Sequence, residues 1–223
     1  MYGRDHCPRL PARLQIELGH SKVYNQDMAI RDTIQIGDPR LKQSNQRVTD
    51  VHDPHVIQVI TDLIDTMHVG NLIGMAAPQI GENYQIYVTH PRKTDARPKD
   101  QADDLRVYIN PEITELSSDE VEIWEACGCV ARATLFAPVV RPRQVTVQAL
   151  DQEGHRFAMT ADGILGRVIQ HEQDHMIGVE FTEKIRDYRR LMSKEAYIEH
   201  IKPLPETQAP CLITIKTYTP LDN

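Results

Sequence analysis

Gln170-His171-Glu172-Gln173-Asp174-His175 is the stretch from which the rest of the chain can be read. On a helix, residues four apart share a face, so the rings of His171 and His175 can reach one metal ion. Glu172, beside the first histidine, is placed to carry a proton for a water activated on that metal. The plainer alternative is a pair of solvated helical histidines with an exposed acid between them. A catalytic zinc-like site needs three protein ligands and an open position, so a third ligand must come from elsewhere in the chain.

Two classes of third ligand are available. One is a carboxylate or imidazole further on, Glu195 or His200, as in a zincin-type metallopeptidase. The other is a thiolate, Cys127 or Cys129. The chain has four cysteines in 223 residues, at positions 7, 127, 129 and 211. That is too sparse for a disulfide framework, and a reducing compartment is the simpler assumption. One residue separates Cys127 from Cys129, too few for an easy disulfide, and metal ligation is one explanation of the pair.

Composition narrows the classes. Hydrophobic residues make up 40% and charged residues 26%, the balance of a globular protein. A net charge of -7 argues against nucleic acid or an anionic membrane as the main partner. No apolar run approaches the roughly 20 residues that span a bilayer. Residues 1–27 read as an N-terminal extension. Arg4, Arg9 and Arg13 outweigh Asp5, and no secretory apolar core is present, so a targeting segment and a surface-draped tail are both open. Residues 28–223 read as one catalytic domain with no boundary inside it.

Asp53 and Pro54 predict a helix start, followed by Val56, Val59, Ile60, Leu63, Ile64 and Met67 at helical spacing and an end near Gly70. Leu72 to Gly81 is rich in small residues, with Gln79 as an uncharged amide donor. Strands are predicted at 85–89, 105–109 (closed by Asn110-Pro111), 121–124, 144–150 and 156–159. Residues 90–104 read as an exposed loop and 151–154 as a hairpin turn. Thr160 or Asp162 is expected to cap the histidine helix, and Gly178 to end it. A further helix is expected over 187–200, and an edge strand over 212–218. The order is α+β, with mixed or antiparallel sheets around a central histidine-bearing helix.

Three segments in this order resemble the motifs of the peptide deformylase family, which read GxGLAAxQ, EGCLS and HExDH. They are Gly74-Met75-Ala76-Ala77-Pro78-Gln79, Glu125-Ala126-Cys127-Gly128-Cys129 and Gln170 to His175. Supporting pieces lie at 36–41, 109–112 and 161–165, so the resemblance runs from about residue 30 to 185. It implies a hydrolase that removes the N-formyl group from the N-terminal methionine of nascent chains and releases formate. It implies one divalent metal held by Cys127, His171 and His175, with ferrous iron as the native ion and zinc, nickel or cobalt able to replace it. Glu172 would move the proton, and the Gln79 amide and the Gly128 N–H would stabilise the oxyanion. Ile73, Ile123, Glu125, Ile164, Arg167 and Val168 would line or flank the methionine pocket, with Ile73 and Gly74 along the substrate backbone. The implied partners are N-formylmethionyl peptides, near the ribosome exit region. The N-terminal extension and the 90–104 insertion point to the mitochondrion of a eukaryote, with the cytoplasm as the alternative.

The chain departs from the motifs at four places that matter. Leu72 stands where the first motif begins with glycine, which adds bulk beside the substrate path. Ala126 replaces a glycine, which strains the turn if its φ is positive. Gly128 replaces a leucine, and Cys129 replaces a serine and adds a rival thiol. The alternatives to an active deformylase are a metal-binding relative with weak or no turnover, and a peptidase that uses Glu195 or His200.

Overall fold

The computed structural model describes residues 30–94 and 97–221. The N-terminal extension, with Cys7 and its arginines, lies outside the described residues. Helix α1, Pro54–Val69, begins as the sequence predicts: the Asp53 carboxylate accepts from the His55 N–H at 2.7 Å and Pro54 opens the first turn. Gly70 closes it.

Six antiparallel strands form the main sheet. They are β1 (Gly74–Ala76), β2 (Ile86–Thr89), β3 (Arg106–Leu116), β6 (Val145–Leu150), β7 (Arg156–Ala161) and β9 (Lys216–Pro220), in the order β1-β2-β3-β6-β7-β9. A smaller antiparallel sheet joins β4 (Glu120–Glu125), β5 (Leu135–Pro142) and the two-residue β8 (Met192–Ser193). Helix α2, Gly163–Met176, carries the two histidines.

Strand alternation divides the core between the two helices. Ile86, Val88, Val107 and Ile109 point to one face and pack with Val59, Leu63 and Met67 of α1. Tyr87, Tyr108, Val147 and Phe157 belong to the other cluster, with Leu165, Val168 and Ile169 of α2. A third cluster joins Cys127, Cys129 and Val130 to Ala137, Val139, Phe181 and Ile185. Helix α2 therefore has the large sheet on one side and the small sheet on the other. Its polar residues Arg167, Gln170, His171, Glu172, Asp174 and His175 are all buried. Buried polar groups need partners, and these partners build the site.

The structure differs from the sequence reading at several points. Strand β5, which contains Pro138 and Pro142, has no counterpart in it. Both prolines are tolerated because β8 pairs only with Leu135 and Phe136, which leaves the rest of that side of β5 free of ladder bonds. Strand β3 does not stop at Asn110-Pro111. It passes through a bulge there, with Asn110 at φ 52°. The 90–104 segment is not wholly exposed: Gln101 and Asp103 are buried, and Asp103 accepts from Arg106 and Lys216. The helix expected over 187–200 is broken by β8 and resumes only at Lys194, behind the Ser193 cap. Asp162 sits at the start of α2 but caps nothing. Its carboxylate accepts from the backbone N–H groups of Thr214 and Ile215 and so ties the C-terminal segment to the helix start. Gly178, at φ 71°, ends α2 as expected, with the Val179 N–H reaching back to the Asp174 carbonyl at 2.9 Å.

Candidate metal centre

Cys127 leaves the end of β4 and meets α2 from the small-sheet side. Its Sγ lies 3.4 Å from Nε2 of His175. Sγ and one nitrogen from each of His171 and His175 all lie within 4.8 Å of one another, and all three residues are buried. Metal–sulfur and metal–nitrogen bonds of about 2.3 and 2.05 Å put the two donors about 3.5 Å apart in a tetrahedral site, so the observed spacing fits one small divalent ion.

The second nitrogen of His171 is already committed. Nδ1 lies 2.8 Å from Glu125 Oε2, which turns Nε2 towards the cysteine. Two guanidinium groups hold Glu125 in turn. Arg141 donates through Nε at 2.7 Å and Nη2 at 3.0 Å, and Arg167 through Nη1 at 2.7 Å. Arg167 also donates to the carbonyls of Val139 and Val121, and Arg141 to Asp174. Burial alone would raise the Glu125 pKa, but Arg141, His171 and Arg167 outweigh it and hold the carboxyl well below its ordinary value. Glu125 and Arg167, expected to line or flank the methionine pocket, brace the imidazole. Ile123 and Val168 are buried, and Ile73 and Ile164 half-buried.

Glu172 contrasts with Glu125. It is 2% exposed, and its Oε2 has no hydrogen-bond partner among the described residues. Burial pushes its pKa up to about 7. Gly74 explains how β1 comes so near: a Cβ there would lie 2.4 Å from Glu172 Oε1 and from a Val168 methyl, so only glycine fits. Gln79, 1% exposed, accepts from the Ala76 N–H through Oε1 at 2.6 Å. That fixes the amide so that Nε2 donates towards Cys127 Sγ at 3.4 Å.

The donor set suits a cation. The Cys129 side chain and burial push the Cys127 thiol up to about 11. Burial opposes a charge on His171, but Cys127 and Glu125 outweigh it and raise the imidazole well above its ordinary value. A divalent ion replaces these protons and leaves the thiolate and neutral imidazoles that bind it.

One expected hazard does not arise, and the other is reduced. Ala126 is not among the positive-φ residues, so alanine is not strained there. Cys129 stands outside the three-donor cluster, buried among apolar side chains, and its backbone N–H donates to Cys127 Sγ. Glu195 and His200 are exposed and join no cluster with the histidines, so the peptidase reading lacks its third ligand. The other possible metal-holding cluster among the described residues, Asp151-Glu153-His155, lies on the hairpin turn with Glu153 and His155 exposed. Arg141 was missed by sequence reasoning. A charged residue in a stretch not read as a strand offered no signal.

The family model for polypeptide deformylase matches residues 30–191. The chain belongs to the polypeptide deformylase family. The peptide deformylase of Carboxydothermus hydrogenoformans is 36% identical over 70% of this chain and 94% of its own length. That of Treponema pallidum is 36% identical over 70% and 88%. Among solved structures, the class I type b peptide deformylase from Acinetobacter baumannii bound to Met-Ala-Ser superposes with a TM-score of 0.67 at 27% identity, covering 71% of this chain and all of that one. The Synechococcus elongatus enzyme in complex with actinonin gives 0.64 at 30% identity, over 81% and 90%. As a deformylase this chain is a metal-dependent hydrolase. Among the described residues no helix is long and apolar enough to cross a membrane.

Proposed function

We propose that this protein removes the formyl group from the N-terminal methionine of nascent polypeptides, with water as co-substrate and formate and a free amine as products. The observation that carries the reading is the convergence of Cys127, His171 and His175 beside a buried, unpartnered Glu172 in a chain of this family. The Met-Ala-Ser held by the Acinetobacter relative is the kind of product such a reaction leaves.

Cys127, His171 and His175 would hold a divalent cation. When bound it supplies Lewis acidity, which brings the ionisation of water close to neutral pH. Glu172 takes the proton that the water loses and returns it to the departing amine nitrogen as the carbon–nitrogen bond breaks. Without the ion, burial holds the Glu172 pKa up to about 7, and a bound cation favours the ionised base that the first half of the task needs. The Gln79 amide and the Gly128 N–H donate to the formyl oxygen as charge builds on it. Glu125, held by Arg141 and Arg167, keeps His171 in one tautomer and one orientation. Ile73, Ile123, Ile164 and Val168 form the apolar surroundings for a methionine side chain.

In this reading the native ion is ferrous iron, as the family resemblance implies, with zinc, nickel or cobalt able to replace it; one thiolate with two imidazoles suits any of these borderline-soft cations. Encounter near the ribosome exit region follows from the substrate being a nascent chain. The N-terminal extension and the 90–104 insertion support a mitochondrial location, with the cytoplasm as the alternative.

Formate release from a formyl-Met-Ala-Ser peptide, measured on anaerobically iron-loaded protein, is the direct test. Turnover is expected. Cys127→Ala is expected to abolish both metal retention and turnover, and a variant that keeps either would overturn the ligand set.

A further inference from the structure

Gly128 is not glycine because of its backbone. Its φ is not in the left-handed region, unlike that of Gly81 or Gly178. Space is what constrains it. A Cβ at 128 would lie 3.0 Å from Leu72 Cδ1, with the Thr33 methyl at 3.7 Å and Gln79 Nε2 at 3.9 Å. A Leu72 methyl thus caps the open face of Gly128, beside the Gln79 amide. The other side of Gly128 is tied down, since its carbonyl accepts from Gln35 Nε2 at 3.0 Å and from Thr33 Oγ1 at 3.4 Å. Leu72 is itself held in place. Its N–H donates to the Met67 carbonyl at 2.9 Å, and its side chain packs on the α1 core cluster and passes over Gly70.

Leu72 and Gly128 are also the two places where the motifs are altered in opposite senses. The first motif has glycine where this chain has leucine, and the second has leucine where this chain has glycine. One large apolar side chain is kept, but it comes from the opposite wall.

We propose that Leu72 is a positioning residue for the oxyanion donors: it fills the space above Gly128, holds that peptide N–H beside the Gln79 amide and keeps water away from both. The proposal rests on the deformylase reading above. Fixed, dry donors stabilise a developing charge more than mobile, wet ones. Neither substitution is then a defect, because each makes room for the other.

A double-mutant cycle tests this, with steady-state kinetics on a formyl-Met-Ala-Ser peptide, metal content and Tm measured for each protein. Leu72→Gly is expected to lower kcat about tenfold with KM within about twofold, less than the 100- to 1000-fold cost of removing an oxyanion donor outright. Leu72→Met, which refills the volume, keeps kcat within about twofold. Gly128→Leu alone loses at least about tenfold, and the exchange Leu72→Gly with Gly128→Leu recovers to within about threefold of wild type. If Gly128→Leu does not fold, Gly128→Ala with and without Leu72→Ala repeats the cycle on a smaller clash. Losses that multiply in the double variant, or a Leu72→Gly loss confined to KM, overturn the proposal. A wild-type protein that holds iron but releases no formate overturns the deformylase reading and this role with it. An active wild type with a failed exchange overturns the pairing alone.

Discussion

Glu125 and Glu172 are the same side chain in opposite circumstances. Both are buried, and both flank His171. Glu125 stands where β4 gives way to the cysteine loop, and Glu172 stands on α2. Two guanidinium groups and an imidazole surround Glu125 and keep it ionised, whereas Glu172 has an oxygen with no partner and holds its proton up to about pH 7. The difference teaches that neighbours, not burial, assign the roles. One carboxylate has become an anchor and the other a proton carrier.

Glu125→Ala breaks the comparison most severely, because it leaves Arg167 without its buried carboxylate, reduces Arg141 to its Asp174 partner and frees His171. Removing one partner of a buried pair costs about 3–5 kcal/mol, so chemical denaturation should show a loss of that order together with weaker metal retention. Glu172→Gln should separate the roles cleanly: kcat falls by about 100- to 10,000-fold while metal content is kept.

pH sharpens the contrast, because the two shifts have opposite signs. In the metal-free protein, Glu125 titrates below its ordinary value of 4.5, so its stabilisation is present above that pH and is lost as pH falls further. Glu172 titrates above its ordinary value, so its ionisation penalty grows as pH rises from 4.5 to about 7 and stays constant beyond. Thermal melts of metal-free Glu172→Gln should match wild type near pH 4 and exceed it increasingly up to pH 7. A Tm difference that shrinks over that range would refute the assignment.

The smallest effect concerns the backbone that carries Cys127. After Val130 the chain turns through Ala131, Arg132 and Ala133 at φ 48°, 54° and 58°, three non-glycine residues in the left-handed region. Ala133→Gly should therefore stabilise the protein by about 1 kcal/mol, seen as a raised Tm with turnover unchanged. Helix α2, on the other side of the site, has no such reserve to release.

That contrast also separates what could be read from the sequence and what could not. Helix α1, the 151–154 hairpin, the end of α2 at Gly178 and the pairing of His171 with His175 were legible, because each depends on residues a few positions apart. The left-handed turn, strand β5 through two prolines and the passage of β3 across Asn110-Pro111 were not, because distant partners override local preference there. The three motifs in order identified the family and named Cys127, His171, His175 and Glu172. Only the tertiary structure decided that Arg141 and Arg167 converge on Glu125, that Ala126 is unstrained and that Leu72 covers Gly128. These depend on the backbone path and on which side chains it brings together, and sequence spacing carries no record of that.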